Sequence, residues 1–291
     1  MSRHGRVLSA AVLVAAVTLS ACASQVAGTP TPAEQADAAP PQAAVTTTPP
    51  PSEQAPQPAG MGECVAGNDP APVDCAQPHT VEITKAGTFG SGMPAESPDR
   101  ETVFAEVFPE CRQAAAEYLG SDSYDATTLG AWLLWAGQED WTAGDRWYRC
   151  GVAQLSGDGQ AQSRTGSVRG ILADERGHEF QSCSSVRPSQ EVPQQVPCDG
   201  PHTGEAIGTV RMGNSGDTFP SDQQFNDAAA PACRQALREY LGTTRDDVAA
   251  SWRWPDQVNW RHGFTNVTCY AETQDPVTRP LRGIGSSPLP Q

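Results

Sequence analysis

Lysine is almost missing from this chain: Lys85 is the only one in 291 residues. Arginine does not make up the deficit, since 19 basic residues face 34 acidic ones and the formal net charge is −15. Without clustered cations to neutralise phosphates, DNA and RNA are excluded as partners, and electrostatic docking on anionic lipid is disfavoured. Signatures of common chemistries are missing too. There is no G-x-S-x-G elbow, no serine in a matched His and Asp setting, and no glycine-rich phosphate loop. No C-x2-C pair seeds a zinc site. The sequence therefore points to no catalytic residue, no metal ligand set and no cofactor.

What is present begins with a targeting segment. Arg3 and Arg6 precede an apolar run from Val7 to Leu19, too short and wrongly flanked to span a membrane. Leu19-Ser20-Ala21-Cys22 resembles a bacterial lipobox, so residues 1–21 are expected to be a lipoprotein signal peptide and Cys22 the lipidated residue. A chain starting at Cys22 loses Arg3 and Arg6 and carries −17. Acyl chains anchor by about 0.8 kcal/mol per buried methylene, so the expected localisation is the extracytoplasmic face of the cell membrane, lipid-anchored.

Residues 23–60 contain no aromatic and no basic residue, and prolines recur as in Pro49-Pro50-Pro51. Too little apolar surface is available there to offset the entropy of ordering. The stretch 22–60 is read as a lipidated cysteine followed by a Pro-rich disordered linker. Stretched out, it would reach on the order of 100 Å.

Beyond it the chain is duplicated. Cys75-Ala76-Gln77-Pro78-His79-Thr80-Val81-Glu82 returns as Cys198-Asp199-Gly200-Pro201-His202-Thr203-Gly204-Glu205. Each copy holds four cysteines: Cys64, Cys75, Cys111 and Cys150, then Cys183, Cys198, Cys233 and Cys269. In an exported chain these are read as four disulfides. Four cysteines allow three connectivities per copy. Chain topology leans to first-with-second and third-with-fourth, the latter stapling a helix to the strand after it. Pro109 to Gly120 matches Pro231 to Gly242, and Trp135 and Trp141 align with Trp254 and Trp260. The expected repeats are 61–174 and 175–291.

Secondary structure follows the same beat. His79 to Phe89 alternates like a half-buried strand. Segment 99–119 places Phe104, Phe108, Cys111, Ala115 and Tyr118 or Leu119 on one helical stripe, with Gly120 as its terminator. Pro109 and Pro231 predict a kink or a fresh helix start. Strands are expected around Trp147–Ala153 and Thr265–Ala271. The fold class is α+β: two disulfide-stapled repeats, each a small, mainly antiparallel sheet with a helix on one face, after the disordered tether.

His79 and His202 are candidate binding residues, each with a glutamate three positions on. In a regular strand those positions face opposite sides, so the pair should not converge. The simpler role for each imidazole is hydrogen bonding to backbone near a disulfide. His178 and His262 have no counterparts between copies. Trp132, Trp147 and Trp252 also lack counterparts and are the candidates for an exposed platform that binds sugar rings or a partner. Trp135 and Trp141 read as core.

The C-x-x-P-H-T-x-E pattern, then a cysteine-bearing helix, tryptophans and a final cysteine-bearing strand, resembles the actinobacterial septum-formation domain, twice over. The resemblance implies a cell-envelope lipoprotein connected with division septa and carries no established reaction. The leading expectation is a non-catalytic binding module held to the membrane through Cys22, with an envelope protein or cell-wall polymer as partner. The alternatives are a cell-wall-modifying hydrolase or transferase built on His79, His202 and nearby carboxylates, and a metal or solute binder.

Overall fold

Val103, Val107, Cys111, Ala115 and Leu119 recur every fourth residue, so a helix aligns them on one stripe. In the computed structural model, which describes residues 57–291, they form the buried face of α1 (Arg100–Leu119). Asp99 caps that helix by accepting from the Thr102 N–H at 2.8 Å. Gly120 ends it at φ 84°, a left-handed conformation that suits glycine. Of the expected stripe, Phe108, Cys111, Ala115 and Leu119 are buried, whereas Phe104 and Tyr118 are half-buried and Val103 and Val107 complete the sealed face.

In chain order the first copy contributes β1 (Cys64–Val65), β2 (Val81–Thr88), α1, β3 (Leu129–Trp135), α2 (Gln138–Ala143) and β4 (Trp147–Gln154). The second contributes β5 (Cys183–Ser184), β6 (Gln195–Val196), β7 (His202–Arg211), α3 (Asp222–Leu241), β8 (Val248–Arg253), α4 (Gln257–Arg261) and β9 (Asn266–Val277). The stripe of α3 is again spaced by four: Phe225, Ala229, Cys233, Leu237 and Leu241.

Pro109 and Pro231 do not interrupt these helices, contrary to the sequence expectation; each helix runs through its proline. A helical proline frees the carbonyl four residues earlier. Here that residue is Ala105 or Asp227, both exposed, so water can satisfy the freed group.

The sheets are antiparallel, ordered β1-β2-β4-β3 and β6-β5-β7-β9-β8. On one face of the first sheet, Leu129, Ala131, Leu133, Cys150 and Val152 pack with the α1 stripe. The opposite face carries Val81, Ile83 and Leu134, with Trp132 and Ala59 against them. Disulfides join Cys64 to Cys75, Cys111 to Cys150, Cys183 to Cys198 and Cys233 to Cys269. The second and fourth tie each long helix to the central strand beneath it.

Residues near two of the expected bounds pack against the first copy. Residues 57–60, assigned by sequence to the linker, are packed: Ala59 is buried and the Arg149 guanidinium donates to its carbonyl at 2.6 Å. Phe180, assigned to the second repeat, lies in the first core. There the Thr128 N–H donates to the Phe180 carbonyl at 2.6 Å. Cys22, the signal peptide and the linker up to residue 56 lie outside the described residues.

Candidate functional site

Each copy buries its His and Glu side by side. The His202 Nε2 lies 2.8 Å from Glu205 Oε1, and His79 Nε2 lies 3.6 Å from Glu82 Oε1. The sequence expectation that they would diverge fails because the backbone is not a regular strand at these points. His79 precedes β2, in an isolated bridge to Arg164, and the β7–β9 ladder breaks register between His202 and Gly204. Alternation of faces holds only where the pleat is continuous.

The carboxylates are saturated. Glu205 accepts from the Tyr240 hydroxyl at 2.6 Å and from the Leu281 N–H at 3.0 Å. Glu82 accepts from Tyr118 at 2.8 Å, Ser167 at 2.7 Å, the Val168 N–H at 2.9 Å and the Arg164 guanidinium. Val168-Arg169-Gly170-Ile171 returns in the second copy as Leu281-Arg282-Gly283-Ile284, and each tail seals a buried glutamate through its first backbone N–H.

The cation opposing the carboxylate differs between copies. Arg164 serves Glu82, but the position bridged to His202 is Val277, an apolar residue. In the second copy His202 faces acceptors from both ring nitrogens, with Nδ1 2.7 Å from the Gly200 carbonyl oxygen. Burial acts to lower its pKa, yet the hydrogen bonds to Glu205 and Gly200 prevail and raise it above the ordinary histidine value. Burial, reinforced by Glu205, pushes the Tyr240 phenol up. With His79 and His202 exposed by 1% and 0%, neither imidazole meets solvent.

The tryptophans do not form an exposed platform. Trp141 and Trp260 are core, donating to the carbonyls of Ala95 at 3.2 Å and Asp217 at 3.1 Å. Trp132, Trp147 and Trp252 are half-buried. The first two pack on the apolar outer face of the first sheet. Trp252 donates to Asn226 at 2.9 Å.

Sequence reasoning missed the seam between the copies. The α1 face at Phe104, Phe108 and Arg112 receives the turn His262-Gly263-Phe264. The rings of Phe108 and Phe264 lie 5.9 Å apart, and Phe104 meets His262 edge-on at 5.8 Å. Arg112 stacks 3.9 Å over Phe264, donates to the Gly263 carbonyl at 2.8 Å, and forks onto Asp125 at 2.7 and 2.8 Å. Gly263 has φ 89°, and a Cβ there would lie 2.9 Å from Pro109 Cα, so close approach and backbone both demand glycine. A signal existed: the counterparts of Phe104, Phe108 and Phe264 are Asn226, Ala230 and Asp145.

Two clefts open along this seam. One of about 620 Å³ is lined by Glu110, Gln113 and Glu117 of α1 and by Arg211, Asn214 and Asn266 of the second copy. Another of about 340 Å³ lies by the outer face of the second sheet, between Trp254, Phe264 and Tyr270. The loop carrying Pro193 walls it, held down by Arg187 and Ser189 on Glu272 at 2.8 and 2.7 Å. Among the described residues no group of His, Cys, Asp and Glu is arranged to hold a metal ion.

A family model described as Septum formation matches residues 33–135 and 61–269, two overlapping regions. Neither a curated protein nor a solved structure matches the chain.

Proposed function

The chain belongs to the septum-formation family, and from that premise we propose that it is a lipid-anchored binding protein of the cell envelope rather than a catalyst. Family membership connects it with septum formation. The finer reading gives it an extracytoplasmic position, an anchor at Cys22 and an envelope protein or wall polymer as partner.

One observation carries the choice of binding over catalysis. The repeated motif, where a hydrolase or transferase would find its acid and base, is closed: His79, Glu82, His202 and Glu205 are each exposed by 1% or less. General acid–base catalysis needs a group within hydrogen-bond reach of substrate. What solvent reaches instead are the seam clefts, built jointly by the two copies. Four disulfides support an oxidising compartment.

The test is made in dividing cells. Acyl labelling with the chain and its Cys22→Ser variant should give a labelled, membrane-bound protein and an unlabelled, released one. Photocrosslinkers at Gln113 and Asn214 should capture one recurring envelope component. Labelling that survives the substitution would remove the anchor. Absence of any recurring envelope crosslink, or turnover of wall material abolished by His202→Gln in a folded protein, would remove the binding reading.

A further inference from the structure

The smaller seam cleft combines an aromatic wall with uncommitted hydrogen-bonding groups. Trp254 stacks on Phe225 at 5.2 Å and 8°, which fixes the indole while it borders the cleft. Tyr270 and Phe264 add ring surface, and Pro193 and Pro255 close the ends. Among the described residues, the Trp254 N–H and the Asn259 side-chain amide have no hydrogen-bond partner. The Asp125 carboxylate is taken up by Arg112 and by Asn266 at 2.9 Å.

Arg253 is different. Its Nη1 donates to the carbonyls of Pro188 at 2.7 Å and Glu191 at 2.9 Å, and no carboxylate among the described residues pairs with it. It stands close enough to Tyr270 to act on that phenol electrostatically.

We propose that this cleft is a saccharide subsite for a sugar ring that carries a carboxylate. A pyranose offers an apolar C–H face to an aromatic wall and a rim of hydroxyls to amides, and its carboxylate would be met by Arg253. The volume of about 340 Å³ is at the small end for ligand clefts and suits one or two rings rather than a folded partner. A proline-rich peptide also uses aromatic grooves, but it would leave the amide and the guanidinium unanswered. The proposal rests on the reading of the chain as an envelope binding protein and specifies the chemistry of the polymer it holds.

The full chain is titrated with N-acetylmuramic acid, with N-acetylglucosamine and with a peptide of residues 46–58, following tryptophan fluorescence. The acidic sugar should give a saturable change, and the neutral sugar should bind about tenfold more weakly. Asn259→Ala, a change at an exposed side chain without a partner, should weaken the acidic sugar severalfold with Tm unchanged. Arg253→Gln should erase the preference for the acid. Equal binding by Asn259→Ala and Trp254→Phe, stronger binding of the peptide, or no saturable sugar response overturns the saccharide subsite. If the Gln113 and Asn214 crosslinks persist in that event, the envelope-binding reading stands without it.

Discussion

Arg112 and Arg234 occupy the same helical position, one residue after the helix cysteine, and have opposite surroundings. Arg112 is 6% exposed and forked onto Asp125 beneath Phe264, whereas Arg234 is exposed. A duplicated sequence has thus produced one side chain that locks the copies together and one that is solvated.

Arg112→Ala should destabilise the protein by about 3 kcal/mol, because the buried guanidinium loses its stacking on Phe264 and its bond to the Gly263 carbonyl, and the half-buried Asp125 loses its cation. Arg234→Ala should stay within about 0.5 kcal/mol. Urea unfolding of both variants measures this. Gly263→Ala should behave like Arg112→Ala, since its Cβ would collide with Pro109.

His202 and His79 should differ in the same manner. Removing His202 leaves Glu205 with no cation and should cost about 3–5 kcal/mol. His79→Ala should cost less, about 1–3 kcal/mol, because Arg164 still opposes Glu82.

The pH dependence follows from the raised His202 pKa. The groups facing the imidazole are Glu205 and the Gly200 carbonyl, with Tyr240 on the far oxygen of Glu205 and Arg282 4.7 Å over the Tyr240 ring. A folded pKa above the unfolded value gives stability that is complete below about 6.5 and declines as pH rises through the folded pKa. Thermal unfolding of the chain and of His202→Gln across pH 5 to 9 should converge at the alkaline end. Parallel curves would contradict the pairing.

The disulfides close loops of different length. Cys111 and Cys150 are 39 residues apart, and Cys64 and Cys75 are 11 apart. Loop entropy alone makes the longer closure worth about 1 kcal/mol more. The Cys111→Ala/Cys150→Ala pair should therefore lower Tm further than Cys64→Ala/Cys75→Ala, the more so because Cys111 and Cys150 are fully buried.

Pro231→Ala should stabilise the protein. The residue is exposed inside α3, where proline costs up to about 3 kcal/mol relative to alanine. The gain is reduced by about 1 kcal/mol of added unfolded-chain entropy. Chemical denaturation should show the midpoint moving up.

The cysteine frame, both long helices, their terminal glycines and the central strands were legible because each rests on spacing, and spacing survives duplication. The His–Glu contacts were not, since a broken ladder leaves no trace in an alternating pattern. The seam escaped for a different reason. Its residues, Phe104, Phe108, His262 and Phe264, are those in which the copies differ, and comparison for likeness passes over them. Trp254 aligns with Trp135, which reads as core; its place beside the smaller cleft depends on the seam, which the first copy's turn does not make.

The fit of the helix face at Phe104 and Phe108 to the turn at Phe264 runs in one direction only. Asn226 and Ala230 offer no matching seat, and Asp145 supplies no aromatic plug. A third unit carrying the same aromatic turn would find no such seat on the helix of the second copy.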